Sequence, residues 1–165
     1  ARMRPDLRFA DIRGNIETRI SKMERGEVDA IMLSEAGLIR LGLTHKTTER
    51  FDPLSFYPAP GQGVIALEIR RQDHDLRALC LNAGDPDQSV ISRAELSLLR
   101  MLGFDCRTPL GVHTRCNGNT ITMNGFYVRS ETGAFVERTI AMPATSPEAV
   151  GQMMAHQLRN DGAEP

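Results

Sequence analysis

The sequence predicts an α/β chain in two parts, a partial parallel βαβ domain followed by a small α+β domain whose three-stranded antiparallel sheet is flanked by helices. Three observations carry this. Apolar runs alternate with amphipathic stretches between Leu7 and Leu43. The Pro/Gly-rich segment Pro58-Ala-Pro-Gly-Gln-Gly63 then interrupts the pattern. Beyond it, a long amphipathic stretch precedes three strand-like runs separated by glycine-containing turns.

Leu7–Ile12 reads as a short strand, and Asn15 is placed to cap a helix that carries Ile16, Ile20 and Met23 on one face and stops at Gly26. Val28–Leu33 is almost continuously apolar, the mark of a strand covered on both faces. Ser34 then starts a second helix with Leu38 and Leu41 inward. Strand, helix, strand, helix implies a parallel unit, and two strands make a poor sheet alone, so the unit reads as part of a larger one. Residues 44–60 read as a connection, and Val64–Ile69 as a strand after the glycine turn.

A short helix with Leu76, Leu79 and Leu81 leads to Asp85-Pro-Asp87. The next helix sets Val90, Ala94, Leu98 and Met101 on one stripe, with Ile91 and Leu102 beside it, and ends at Gly103. Strands are expected at Leu110–Thr114, Thr120–Val128 and Ala134–Ala141, turning at Asn117-Gly-Asn119 and Ser130-Glu-Thr-Gly133 as an antiparallel meander. Ser146-Pro147 opens a last helix through Ala149, Met153, Ala155 and Leu158. The domain boundaries that follow are 1–55 for the parallel unit, 56–72 for a crossover segment and 73–165 for the α+β domain.

The 165 residues carry 20 basic and 21 acidic side chains, a net charge of −1, which gives no global electrostatic case for nucleic acid or an anionic membrane. No apolar run approaches the roughly 20 residues that cross a bilayer. Cys80, Cys106 and Cys116 are an odd number without a CxxC pair, and the four histidines are scattered. Neither a zinc site nor a disulfide framework is indicated, and free thiols suit a reducing, cytoplasmic setting.

Three features could carry chemistry. Arg13 and Arg19 lie at the start of the first helix and Arg40 in the second, where guanidinium groups beyond strand ends bind carboxylates or phosphates bidentately. The competing reading is solvated surface arginine, stronger for Arg40 than for the other two. Gln62 sits between two glycines in a turn that permits close backbone approach to a ligand or simply joins two domains. Cys106 lies on a short helix-to-strand loop, reachable from outside, with Asp105 opposing and Arg107 favouring its thiolate. Asp29, Glu35, Glu68 and Glu95 are isolated and read as surface or capping charges.

In order along the chain, Arg13-Gly-Asn-Ile-Glu-Thr-Arg19, Gly26-Glu-Val-Asp-Ala-Ile-Met-Leu33, Ala36-Gly-Leu-Ile-Arg-Leu-Gly-Leu43, Pro58-Ala-Pro-Gly-Gln-Gly63 and the Cys106 loop with Pro109-Leu-Gly111 resemble the hydroxymethylbilane synthase (porphobilinogen deaminase) family. The resemblance implies a periplasmic-binding-protein-like first part and a transferase of tetrapyrrole, porphyrin and heme biosynthesis. Such an enzyme joins four porphobilinogen units head to tail into hydroxymethylbilane with release of ammonia. It implies a covalent dipyrromethane primer on Cys106, its carboxylates held by Arg13, Arg19 and Arg40, with Gln62 in the matching glycine turn.

The resemblance places this chain in the later part of such an enzyme, without the first domain and its catalytic aspartate. No catalytic residue and no metal ligand is therefore expected here, and the fragment alone is expected to be inactive. Its implied partners are porphobilinogen and the growing polypyrrole, not nucleic acid or a membrane. The whole enzyme is expected to be a cytoplasmic monomer, an organellar leader being compatible with the residues at hand. The fragment is expected to need its N-terminal half or to self-associate, and Val64–Ile69, left without sheet neighbours, is expected to meet a partner chain, make an intermolecular contact or be disordered. Two departures stand out: Phe104-Asp105 where the family has Gly-Gly, and Glu95-Leu96 where it has Glu-Arg. The competing class is a non-catalytic module binding carboxylate-rich ligands on the same scaffold.

Overall fold

A ladder of β-strands exists only between hydrogen-bonded partners, and this decides where the expected strands appear. The computed structural model describes residues 3–103, 108–129 and 132–163. They fall into two units, Ala1–Arg50 and Phe51–Pro165.

In the first unit, helix α1 (Ile16–Glu24) begins at Asn15, whose side-chain oxygen accepts the Thr18 amide at 2.8 Å. This satisfies one of the orphan donors of the first turn. Gly26, at φ 77, turns the chain just beyond the helix. Helix α2 (Glu35–Arg40) follows Ser34, which makes no side-chain cap, and a 3₁₀ turn spans Thr44–Lys46. The two helices pack closely: a Cβ on Gly37 would lie 2.5 Å from Ile16 Cδ1. Ile20 and Leu38 are the buried apolar residues of this unit. The strands expected at Leu7–Ile12 and Val28–Leu33 join no ladder among the described residues. Two segments of this length do not make a stable sheet by themselves, and Phe9 and Met32 accordingly stay exposed.

The second unit contains α3 (His74–Ala83), α4 (Pro86–Leu102), β1 (Leu110–Asn117), β2 (Thr120–Val128), β3 (Phe135–Pro143) and α5 (Pro147–Asn160). The strands form an antiparallel sheet in the order β1-β2-β3, with Met123 opposite both Thr114 and Ile140. This is the expected meander, with β1 three residues longer. Alternation sorts the strands: Leu110, Val112, Ile121, Met123, Tyr127 and Ile140 are buried on the side where α4 and α5 pack.

Helix α4 follows its sequence pattern closely. Asp85 caps it through the Gln88 amide at 3.1 Å, Ala94, Leu98 and Leu102 are wholly buried, and Gly103 ends it at φ 70. Helix α5 begins at Pro147 as expected, but Ser146 makes no side-chain cap. Its inner stripe is Val150, Met154 and Leu158, while Met153 is exposed. Gly151 lets α4 and α5 touch backbone to backbone, since a Cβ there would lie 2.1 Å from Ala94 O and 2.7 Å from Leu98 N.

Each large core side chain contributes about 1.5–3 kcal/mol. The half-exposed Arg93–Glu148 ion pair at 2.7 Å joins α4 to α5, but such pairs contribute at most about 1 kcal/mol. Apolar burial therefore dominates. The strand expected at Val64–Ile69 forms no ladder among the described residues, and Ile65 and Leu67 are 66% and 65% exposed. Leu79 and Leu81 of α3 are likewise exposed.

Candidate functional site

The entrance to α1 is fixed by side chains of its own helix. Gly14 adopts φ 125, a conformation that L side chains rarely take, and a Cβ there would meet Thr18 Cγ2 at 2.7 Å. Arg19 folds back so that its Nε donates to Gly14 O at 2.8 Å, and Lys22 Nζ donates to Arg13 O at 3.2 Å. Arg19 and Lys22 thus bring two cations to the end of the helix where free amides and the positive end of the macrodipole already favour an anion, and Arg13 lies in the chain two residues before the cap. With Nε of Arg19 engaged, its terminal amino groups keep the fork geometry that suits a carboxylate. Lys22 was not singled out by sequence reasoning. Its spacing from Arg19, three residues on, is the signal that could have found it.

Arg40 is the last residue of α2 and is exposed. It lies three residues beyond Gly37, about 4.5 Å along the helix axis from the contact with Ile16 at the start of α1. Arg40 is thus carried on the neighbouring helix, and it shares no hydrogen-bond partner with Arg13 or Arg19 among the described residues. Arginine donors of this kind suit carboxylates and phosphates alike.

Gln62 belongs to the second unit. Its Oε1 accepts the Ala59 amide at 3.2 Å, and its own amide donates to Ala59 O at 3.0 Å, so its side chain closes the turn it occupies. Gly61 and Gly63 flank it at φ 73 and 84. The turn is tied to the α+β domain. Pro58 O accepts the Val112 amide at 2.8 Å, extending the free edge of β1. The Tyr57 hydroxyl donates to Glu137 Oε1, and the Tyr57 ring stacks on Phe126 with centroids 5.9 Å apart. Burial, then the neighbouring carboxylate, pushes the Tyr57 hydroxyl up to about 12.

Glu95, expected at the surface, is 7% exposed on α4. Its Oε2 accepts the Gly61 amide at 2.7 Å. Burial lifts its carboxyl above the ordinary range, against the opposing pull of the Gly61 amide and, more weakly, of Thr114. Among the described residues, the Gly61 amide holds the Glu95 carboxylate by a hydrogen bond of 2.7 Å.

Cys106, with Phe104, Asp105 and Arg107, lies outside the described residues. The ends of its loop are anchored: Gly103 N donates to Leu99 O at 2.9 Å, Leu110 N to Thr108 O at 2.7 Å, and the Arg159 guanidinium donates to Met101 O in the last turn of α4. No helix among the described residues is long and apolar enough to cross a membrane.

Fold and site together describe a protein with a cationic helix entrance in one unit and a helix-backed antiparallel sheet in the other. Comparison with known proteins specifies the class further. Residues 1–78 match the family model described as "Porphobilinogen deaminase, dipyromethane cofactor binding domain", and residues 90–160 match "Porphobilinogen deaminase, C-terminal domain". Proteins named porphobilinogen deaminase from Nitrobacter winogradskyi and Syntrophobacter fumaroxidans are 42% identical over 163 residues and 37% over 162, covering 99% and 98% of this chain and 52% of each relative. One from Chromobacterium violaceum is 35% identical over 161 residues, covering 98% of this chain and 52% of the relative. The chain belongs to the porphobilinogen deaminase family. It spans about half the length of the curated relatives it matches.

Proposed function

We propose that this chain is the later portion of a hydroxymethylbilane synthase, a deaminating transferase that joins four porphobilinogen units into hydroxymethylbilane. The observation that carries this is the pair of family matches, in order, over residues 1–78 and 90–160. On this reading residues 1–55 are the later part of a second domain, 56–72 the crossover toward a first domain, and 73–165 the C-terminal domain. The working enzyme is a cytoplasmic monomer, a setting with which the free thiols of Cys80 and Cys116 agree.

Bound dipyrromethane would supply the acceptor pyrrole from which the chain grows. This chain's residues would anchor and orient it. Cys106 would hold the primer by a thioether, and Arg13, Arg19 and Arg40 would neutralise acetate and propionate groups, with Lys22 adding charge beside the Arg13 carbonyl. Each charge-assisted contact contributes on the order of 1.5–3 kcal/mol. Gln62 would act from the glycine turn whose shape its own side chain maintains.

The test is intact-protein mass after co-expression with the part of a relative that this chain does not match. A dipyrromethane adduct that disappears in Cys106→Ser is the expected result. An unmodified, freely alkylated Cys106 would overturn the reading and leave a non-catalytic carboxylate-binding module on the same scaffold.

A further inference from the structure

We propose that Glu95 is a positioning residue that latches the Pro60-Gly-Gln-Gly63 turn to the C-terminal domain and thereby sets where Gln62 is presented. Four observations converge on it. A carboxylate at 7% exposure on α4 is costly to bury unless it is hydrogen-bonded. Its partner is a backbone amide 34 residues earlier, Gly61 N–H, at 2.7 Å. Gly61 and Gly63 both hold positive φ, so the turn has few conformations that would offer this amide without them. The same strip of chain is held twice more, by Pro58 O on Val112 N and by Tyr57 on Glu137 and Phe126.

These contacts divide the labour. The Pro58 and Tyr57 contacts fix the strip along the edge and outer face of the sheet. Among the described residues, the Glu95 contact is the one from the C-terminal domain that reaches the turn itself, one residue from Gln62. Residues 57–62 also lie within the stretch matching the cofactor-binding family model, yet they fold with the unit that begins at Phe51. The latch therefore couples a segment of one family domain to the body of the other. Its consequence for ligand binding rests on the proposed role of Gln62, whereas the latch itself does not.

The experiment is amide hydrogen exchange and proton chemical shift by NMR on the 165-residue chain, comparing the parent with Glu95→Gln and Glu95→Ala. In Glu95→Ala, exchange at Gly61 and Gln62 should rise by roughly tenfold or more, while core amides of β2 are unchanged. In Glu95→Gln, protection should be retained, with the Gly61 proton moving upfield as its acceptor loses charge. A rise spread uniformly over the sheet, or no change at Gly61, would overturn the latch. If Glu95→Ala does not fold, Glu95→Gln decides: an unmoved Gly61 proton refutes the proposal. Failure of the primer reading would show instead as an unmodified Cys106, with these amide signals in place.

Discussion

A buried carboxylate that accepts a backbone amide carries a pH signature. Burial raises the native value of Glu95 above its ordinary 4.5, so the folded chain binds this proton more tightly than the unfolded one. Its contribution to stability is then fully present below the unfolded value and is lost as pH rises through the native one. Glu95→Gln keeps an acceptor for Gly61 and removes the titration. The stability of Glu95→Gln relative to the parent should therefore rise as pH rises above the ordinary glutamate value of 4.5, as read from urea melts. A difference that is flat with pH would show that the carboxylate is not desolvated. The sequence did not reveal this residue because its partner is a backbone N–H, which leaves no mark in side-chain identity. The position of Arg13 and Arg19 at the entrance of α1 was legible because the Gly14-Asn15 cap is a purely local signal, whereas spacing alone left their role open.

At the scale of elements, local signals served well wherever the partner was close in sequence. Helix α4 and the three strands of the meander appear where their periodicity and turns put them, because each strand pairs with the next. The expected strands at Leu7–Ile12, Val28–Leu33 and Val64–Ile69 are apolar runs without a neighbouring run to pair with, and periodicity reports a wish for burial, not a partner. In α5 the adjacent Met153 and Met154 made two stripes compatible with the same sequence, and the close approach of α4 chose Met154. Gly151 marks that approach. By helix propensity alone, Gly151→Ala should stabilise α5 by up to about 1 kcal/mol. The new Cβ would instead lie 2.1 Å from the Ala94 carbonyl oxygen, a backbone atom that cannot step aside. Overpacking should win, with a net destabilisation of about 1–3 kcal/mol read from urea melts. A stabilised variant would mean that α4 and α5 do not cross this closely.

At the scale of the whole molecule, the second unit has a core and the segment leading into it has unmet apolar surface. Val64, Ile65 and Leu67 lie side by side in sequence, exposed and outside any ladder among the described residues, with Leu79 and Leu81 exposed on α3. An apolar strand-like segment outside any ladder invites pairing with another chain. The relatives are about twice as long as this chain, and a further sheet in such a protein would offer both the hydrogen-bond partners and the cover. Co-expression with the unmatched part of a relative should therefore slow amide exchange across residues 64–69 and lower the binding of a hydrophobic dye. Exchange within β2, already paired on both sides, should stay the same. If the segment exchanges equally fast in the reconstituted protein, Val64–Ile69 is not a sheet strand, and the crossover role proposed for residues 56–72 falls with it.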